Sequence, residues 1–273
     1  MIKLNKFDNG FEYLEIINKS ASAKIALQGA HLFSFKRDNE LLWVSKDSRF
    51  EDGIAIRGGV PICWPQFGLP KDSQLKQHGY ARTSMWKIIS TKDEEELSIV
   101  RLKLQDSKHK YFEYECDVTI TFYIGSELQM HLQTKNIDDK TMKITQALHT
   151  YFSISNISNI SIVGLKNKPY FDALDYKVKK QDTDISISSE VDRIYQEVDN
   201  DIVLQDNDKK TIIKNTNSSS VIVWNPWIEK SHHIKDMQDD AYKDFVCIES
   251  ANASDDFVIL QKDEIHTLIT KII

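Results

Sequence analysis

The chain has 273 residues, with 35 Lys and Arg against 41 Asp and Glu and a formal net charge of −6. That length suits one large all-β domain and forces no boundary, and the acidic balance excludes a general nucleic-acid binder, which needs a basic face. Three cysteines, Cys63, Cys116 and Cys247, are odd in number, far apart and without a CxxC pair, so reduced thiols and a cytosolic setting are expected.

The first eight residues lack an apolar h-region, and no apolar run of membrane length follows, so neither a signal peptide nor a membrane span is expected. Residues 11–17 and 23–27 are short apolar runs separated by polar residues, which is a hairpin pattern. Gly29-Ala30-His31-Leu32-Phe33-Ser34-Phe35 follows, then Leu41-Leu42-Trp43-Val44 after the turn-forming Asp38-Asn39. Residues 45–77 hold three of the five prolines and several glycines, with little periodicity, so loops and irregular strands are expected there.

From Trp86 the pattern becomes regular. Cys116, Val118, Ile120, Phe122 and Ile124 alternate with polar residues, and after Gly125-Ser126 so do Leu128, Met130 and Leu132. A period of two marks half-buried strands, here joined as an antiparallel hairpin. Residues 141–152 give another strand pattern. Residues 185–187, 202–204, 211–214, 221–224, 245–248, 257–260 and 267–273 continue the series. Short strands with turn signals between them indicate a sandwich or barrel. Only residues 234–242 and 169–174 suggest short helices. There is no fixed-period repeat and no linker, so one domain spanning residues 1–273 is expected.

Five clusters could carry chemistry. The first is the stretch Ala55-Ile56-Arg57-Gly58-Gly59-Val60-Pro61-Ile62-Cys63-Trp64-Pro65-Gln66-Phe67-Gly68. Its two prolines stiffen the chain around Cys63 and Trp64. Its paired glycines permit unusual backbone conformations and close approach of a ligand. It is either a packed corner of a sandwich or a ligand loop. The second is Gln77-His78-Gly79-Tyr80-Ala81-Arg82; there an exposed turn histidine and a surface arginine are the plain alternatives to a site. The third is Ala147-Leu148-His149-Thr150-Tyr151-Phe152, where a satisfied core histidine competes with a catalytic one. The fourth is Phe245-Val246-Cys247-Ile248-Glu249, a carboxylate ending an apolar strand; it is a structural ion pair, a strand-end Glu in water, or a general base. The fifth and weakest is Glu190-Val191-Asp192-Arg193-Ile194-Tyr195.

The adjacent pair His232-His233 sits in a charged, helix-like piece, where neighbours do not face each other, so a metal site is not expected there. No HExxH, cysteine cluster or acidic calcium loop occurs, and no metal is expected. The absence of GxGxxG before a helix, of a P-loop and of a GxSxG elbow removes nucleotide-dependent and serine-hydrolase readings.

These clusters together resemble the aldose 1-epimerase family, of the hexose-6-phosphate mutarotase type. The likeness rests on residues 56–68, on His78-Gly79-Tyr80-Ala81-Arg82, on residues 147–152, on residues 191–195, on Asn225-Pro226-Trp227 and on the run from Asp239-Asp240 through Glu249. Gly29-Ala30-His31 and Leu41-Leu42-Trp43 extend it to the N-terminal strands. The resemblance implies an all-β, large antiparallel sandwich of the galactose-mutarotase type with few short helices. It implies His149 as the acid, Glu249 as the base and His78 as a second active-site histidine. It implies Arg57 and Arg82 as ligands of a sugar phosphate, Asp192 as a holder of sugar hydroxyls, and Gln66 among the substrate-binding residues. No cofactor and no metal are implied, because anomer exchange involves neither redox nor group transfer. Trp64, Phe67 and Trp227 are candidates for stacking on the sugar, with core packing as the alternative. Ser250-Ala251 and His232-His233-Ile234 depart from the usual pattern; the first bears on the backbone after Glu249 and the second on the pocket rim and substrate choice. The partner expected is a small sugar phosphate, with no nucleic acid and no membrane. An epimerase of free aldoses and a non-catalytic carbohydrate-binding sandwich are the competing readings.

Overall fold

The computed structural model of the protein describes residues 1–68 and 74–273. Its paired strands run antiparallel throughout and form three main sheets. A four-stranded meander holds Ile2–Lys6, Glu12–Ile17, Ser22–Ala26 and His31–Lys36 in chain order. A first eight-stranded sheet runs from Ile160–Val163 through Ile202–Asp206, Lys209–Thr216, Ile265–Ile272, Leu128–Asn136, Cys116–Ile124 and Ser98–Leu104 to Trp86–Asp93. A second runs from Lys177–Lys179 through Tyr170–Asp172, Val191–Tyr195, Ser220–Asn225, Phe245–Asn252 and Gln146–Leu148 to Ile62–Cys63. Tyr151–Ser153 also pairs with Phe245–Asn252 in this sheet.

The hairpin expected from the alternation at 116–132 is present, with Cys116 opposite Asn136 and Ile124 opposite Leu128. The side chains that alternate inward, such as Val118, Ile120, Met130 and Leu132, join one apolar core. Leu14 and Ile25 of the meander and Val221, Val223, Val246 and Ile248 of the second sheet join it as well. Burial of this apolar surface is the main stabilising contribution.

The second sheet is therefore apolar on its back. Because successive side chains of a strand point to opposite faces, its front carries the other half of each strand. Phe245 and Cys247 pack there with Tyr151 and Trp224, and Ile222 and Ile194 pack with Cys63 and Ala147. The long 141–152 pattern is realised as three short strands, Met142–Ile144, Gln146–Leu148 and Tyr151–Ser153, interrupted at His149 and Thr150.

Both helix expectations are corrected. The α-helix is Trp227–His233, directly after Pro226, whose fixed φ suits a helix start. It stops where Ile234 turns extended, so 234–240 is a series of turns ending in the short 3₁₀ segment Ala241–Lys243. Residues 170–172 form a strand paired on both sides instead of a helix. Part of the expected loop region 45–77, residues 69–73, lies outside the described residues.

Candidate active site

The front of the second sheet forms the floor of a cleft of about 840 Å³. His149, Glu249, His78, Arg57, Arg82 and Asp192 all line it. The strand Phe245–Asn252 lies antiparallel to the interrupted strand beside it, with Leu148 opposite Ser250 and Tyr151 opposite Cys247. The same register sets His149 across from Glu249. The two side chains meet with His149 Nε2 3.3 Å from Glu249 Oε1. Both are buried, Glu249 to 1 % exposure. Among the described residues, Glu249 Oε2 and His149 Nδ1 have no hydrogen-bond partner.

Burial pushes the Glu249 carboxyl well above its ordinary range; nearby Asp192 adds to this and Arg82 opposes it. Burial likewise pushes the His149 imidazole well below its ordinary range, reinforced by His78, Arg82 and Arg57. Both shifts disfavour the separately charged forms of two buried groups. Besides Glu249 at Nε2, rings pack on the His149 imidazole: Tyr151 stacks on it at 4.9 Å and 10°, with His78 and Trp224 edge-on at 5.6 and 6.1 Å.

His78 is fixed by a reciprocal clasp. Its backbone N–H donates to Gly68 O at 3.0 Å, and Gly68 N–H donates to His78 Nδ1 at 3.3 Å. Nδ1 is thus an acceptor, which places the proton of the neutral ring on Nε2. Burial, with Arg82 and Arg57, lowers the His78 pKa to about 3, so the ring stays neutral.

Arg57 is held at both ends. Its backbone N–H donates to Ser48 Oγ at 2.8 Å, its Nε to Asp236 Oδ1 at 3.2 Å and its Nη1 to Tyr151 OH at 3.3 Å. Burial opposes its charge, but Tyr151 and Asp236 outweigh that and raise its pKa. The paired glycines after it serve the protein's own backbone. Gly58 has φ 111° and Gly59 φ 61°; a Cβ on either would lie 2.4 Å from Trp43 O or Leu32 O respectively. Close approach here is therefore by neighbouring strands and not by a ligand. Behind the loop, buried His31 donates from Nε2 to Gly58 O at 2.8 Å. Burial keeps it neutral, with a pKa of about 4.

Arg82 also lines the cleft, and its Nη2 donates to Gln77 O at 2.9 Å. Asp192 lies on the floor near Lys230 Nζ, which is 3.8 Å away and 2.7 Å from Glu190. Burial raises the Asp192 pKa; Lys230 counters it and Glu190 adds to it.

Gln66 is not brought into the cleft: its Nε2 donates to Gly68 O at 3.2 Å, within its own loop. Trp64 is fully buried and donates to Thr134 Oγ1, and Trp227 packs on Tyr242. Only Phe67 of the three stacking candidates lines the cleft. Sequence reasoning missed Tyr151, Trp224, Lys230, Phe171, Tyr176 and Asp236. Tyr151 and Trp224 were within reach: each lies two residues from a front-face position, so alternation alone points it the same way. Among the described residues no group of three or more His, Cys, Asp and Glu side chains is placed to hold a metal ion.

The chain belongs to the aldose 1-epimerase family, whose profile matches residues 12–272. It is 31% identical to "Putative glucose-6-phosphate 1-epimerase" of Escherichia coli K12, over 97% of this chain and 90% of that protein. A protein of Cenchrus ciliaris bearing the same name is 32% identical over 85% of this chain and 75% of its own length. A solved structure from Salmonella typhimurium, described as "a putative mutarotase", superposes with a TM-score of 0.92 at 28% identity, covering 99% of this chain and 92% of that one. A galactose mutarotase related enzyme of Lactobacillus acidophilus shares the fold at TM-score 0.74 and 16% identity, over 95% and 96% of the two chains.

Proposed function

We propose that the protein is a hexose-6-phosphate mutarotase that exchanges the α and β anomers of glucose 6-phosphate and related aldohexose 6-phosphates. The observation that carries this reading is the buried His149–Glu249 pair, 3.3 Å apart, in the same cleft as Arg57 and Arg82. The family and the relatives named above support it.

Anomer exchange needs two proton movements. A base takes the proton of the C1 hydroxyl while an acid protonates the ring oxygen. The ring opens to the aldehyde, the C1–C2 bond rotates, and closure on the other face reverses both transfers. In this reading Glu249 is the base and His149 the acid, and His78 donates from Nε2 to the developing oxygen charge. Transfer of one proton from Glu249 to His149 within the pair arms both groups without changing the net charge of the site. A carboxyl raised towards working pH is a more effective base than an ordinary one. A phosphate bound by Arg57 and Arg82 carries close to two negative charges. It would offset the two cations that depress His149 and so favour the imidazolium that donates.

Arg57 and Arg82 supply forked donors suited to phosphate. Asp192 takes sugar hydroxyls, and Phe67 and Trp224 offer flat apolar surface to the ring. The whole chain is read as one working unit, since a single core joins all three sheets. The three buried, unpaired thiols suit a cytosolic setting.

Magnetisation exchange between the two anomeric C1–H signals tests the reading. The protein should accelerate exchange for glucose 6-phosphate well above its effect on glucose. Equal acceleration of both would favour a free-aldose epimerase, and none would favour a binding module.

A further inference from the structure

Asp236 lies outside every motif above, yet it is the carboxylate in direct contact with Arg57. The two form an ion pair, Nε to Oδ1 at 3.2 Å, with both side chains 29 % exposed. The segment carrying Asp236 is fastened independently of that pair. Met237 beside it is buried, and its N–H donates to Ile234 O at 3.2 Å. Gln238 accepts from Ser45 Oγ and Lys46 N–H, each at 3.4 Å. Arg57 is also pinned without Asp236, through Ser48 at its backbone and Tyr151 at Nη1. The carboxylate is thus not needed to place the arginine. What it adds is a negative charge against a guanidinium whose Nη2 has no acceptor among the described residues.

A guanidinium has five N–H donors. Asp236 takes the side-on Nε–H and Tyr151 takes one at Nη1, which leaves the end-on edge formed by Nη1 and Nη2 for a second, bidentate anion. A phosphate arriving there meets a cation already partly neutralised, with a carboxylate of like charge behind it. Both effects weaken its binding.

We infer that Asp236 is a specificity-determining counter-ion. Its charge lowers the affinity of the Arg57 fork for a phosphate dianion, so that the phosphorylated product leaves quickly. This rests on the reading of Arg57 as a phosphate ligand. For an enzyme whose substrate and product differ only at C1, both bind the phosphate site alike. Uniform tight binding there lowers KM without raising kcat, and a moderated site avoids slow release.

The test compares wild type, Asp236→Asn and Arg57→Ala. Asn keeps an oxygen that accepts from Arg57 Nε and removes only the charge. Inorganic phosphate is titrated calorimetrically at low ionic strength, where such pairs are least screened, and anomer exchange is measured on glucose 6-phosphate and on glucose. Thermal unfolding establishes that each variant is folded. Asp236→Asn should bind phosphate about fivefold more tightly, the upper end of the range for a partly exposed ion pair. It should lower KM for glucose 6-phosphate in parallel and leave KM for glucose unchanged. Unchanged or weaker phosphate binding in this variant, with Arg57→Ala weakened, overturns the role of Asp236 and leaves the phosphate reading standing. Phosphate binding by Arg57→Ala equal to wild type would remove the phosphate reading, and the inference with it.

Discussion

The two eight-stranded sheets use the same strand geometry for opposite ends. The sheet built on Cys116–Ile124 and Leu128–Asn136 is regular: its strands are long, their pairing is unbroken over nine residues, and alternate side chains enter the core. In the sheet built on Phe245–Asn252, all eight residues of that strand are shielded, on the core side and on the cleft side alike. Its neighbour is broken at His149 and Thr150, and a carboxylate and an imidazole face each other where a scaffold would place apolar groups. Ionisable groups are rarely fully buried without strong compensation. The front of the second sheet thus gives up stability that the regular sheet and the shared core supply.

Replacing Glu249 by Gln should separate the two roles most sharply. Exchange on glucose 6-phosphate should fall about 10²–10⁴-fold, the range for a positioned proton-transfer group. Stability should respond in the other direction. The folded pKa of Glu249 is raised, so its contribution to stability is fully present below the unfolded value of 4.5 and is lost as pH rises through the folded value. Gln carries no such loss. The Tm of Glu249→Gln relative to wild type should therefore climb steadily as pH is raised from 4.5. A constant difference would mean that the carboxyl titrates normally, and near-full activity would reject Glu249 as the base.

The complementary change is Leu132→Ala, in the regular sheet. Leu132 is wholly buried, and the cavity should cost about 2–5 kcal/mol in denaturant unfolding. The folded fraction should keep its kcat, because Leu132 touches only the core. A large drop in kcat at full folding would show that the two sheets are not separable in function.

A smaller effect is expected for Tyr151→Phe, which keeps the ring stacked on His149 and deletes the hydroxyl that accepts from Arg57. KM for glucose 6-phosphate should rise about two- to fivefold with the loss of one hydrogen bond of ~0.5–1 kcal/mol, and exchange on glucose should not change. A loss on both substrates would place the hydroxyl at the acid instead. On the acid side, His78 gives the opposite pH sign to Glu249. Its pKa is depressed to about 3, so its contribution is present above 6.5 and lost as pH falls towards 3. His78→Asn should flatten that part of the Tm profile.

The regular sheet was legible because its signal is local: alternation fixes each strand, and Gly125-Ser126 fixes the hairpin and its register. The polar residues of the site were legible one at a time, as misfits in apolar strands. Their meeting was not. His149 and Glu249 are a hundred residues apart, and only the antiparallel register of two strands with no hairpin between them puts one opposite the other. Gln66 shows the converse limit. In an irregular loop there is no period to say which way a side chain points, and it turned into its own backbone. Of the helix Trp227–His233 only the helix-like character around His232-His233 was legible, and its extent was not, because Trp-Ile-Glu-Lys-Ser-His-His has no apolar stripe at helical spacing. Asp236 was invisible because its partner comes from a segment about 180 residues earlier, and nothing in either stretch announces the pair.

The layering of the second sheet also divides what change can reach. Val246 and Ile248 sit in the core directly behind Glu249, so a substitution that tilts the floor also disturbs the packing of the whole molecule. Arg57, Arg82, Lys230 and Tyr176 hang from separate loops, turns and a helix around the mouth, each with its own fastening. The lining of the mouth can therefore change by swapping these outer pieces one at a time, whereas moving the buried His149–Glu249 pair beneath them would disturb the core on which the whole fold rests.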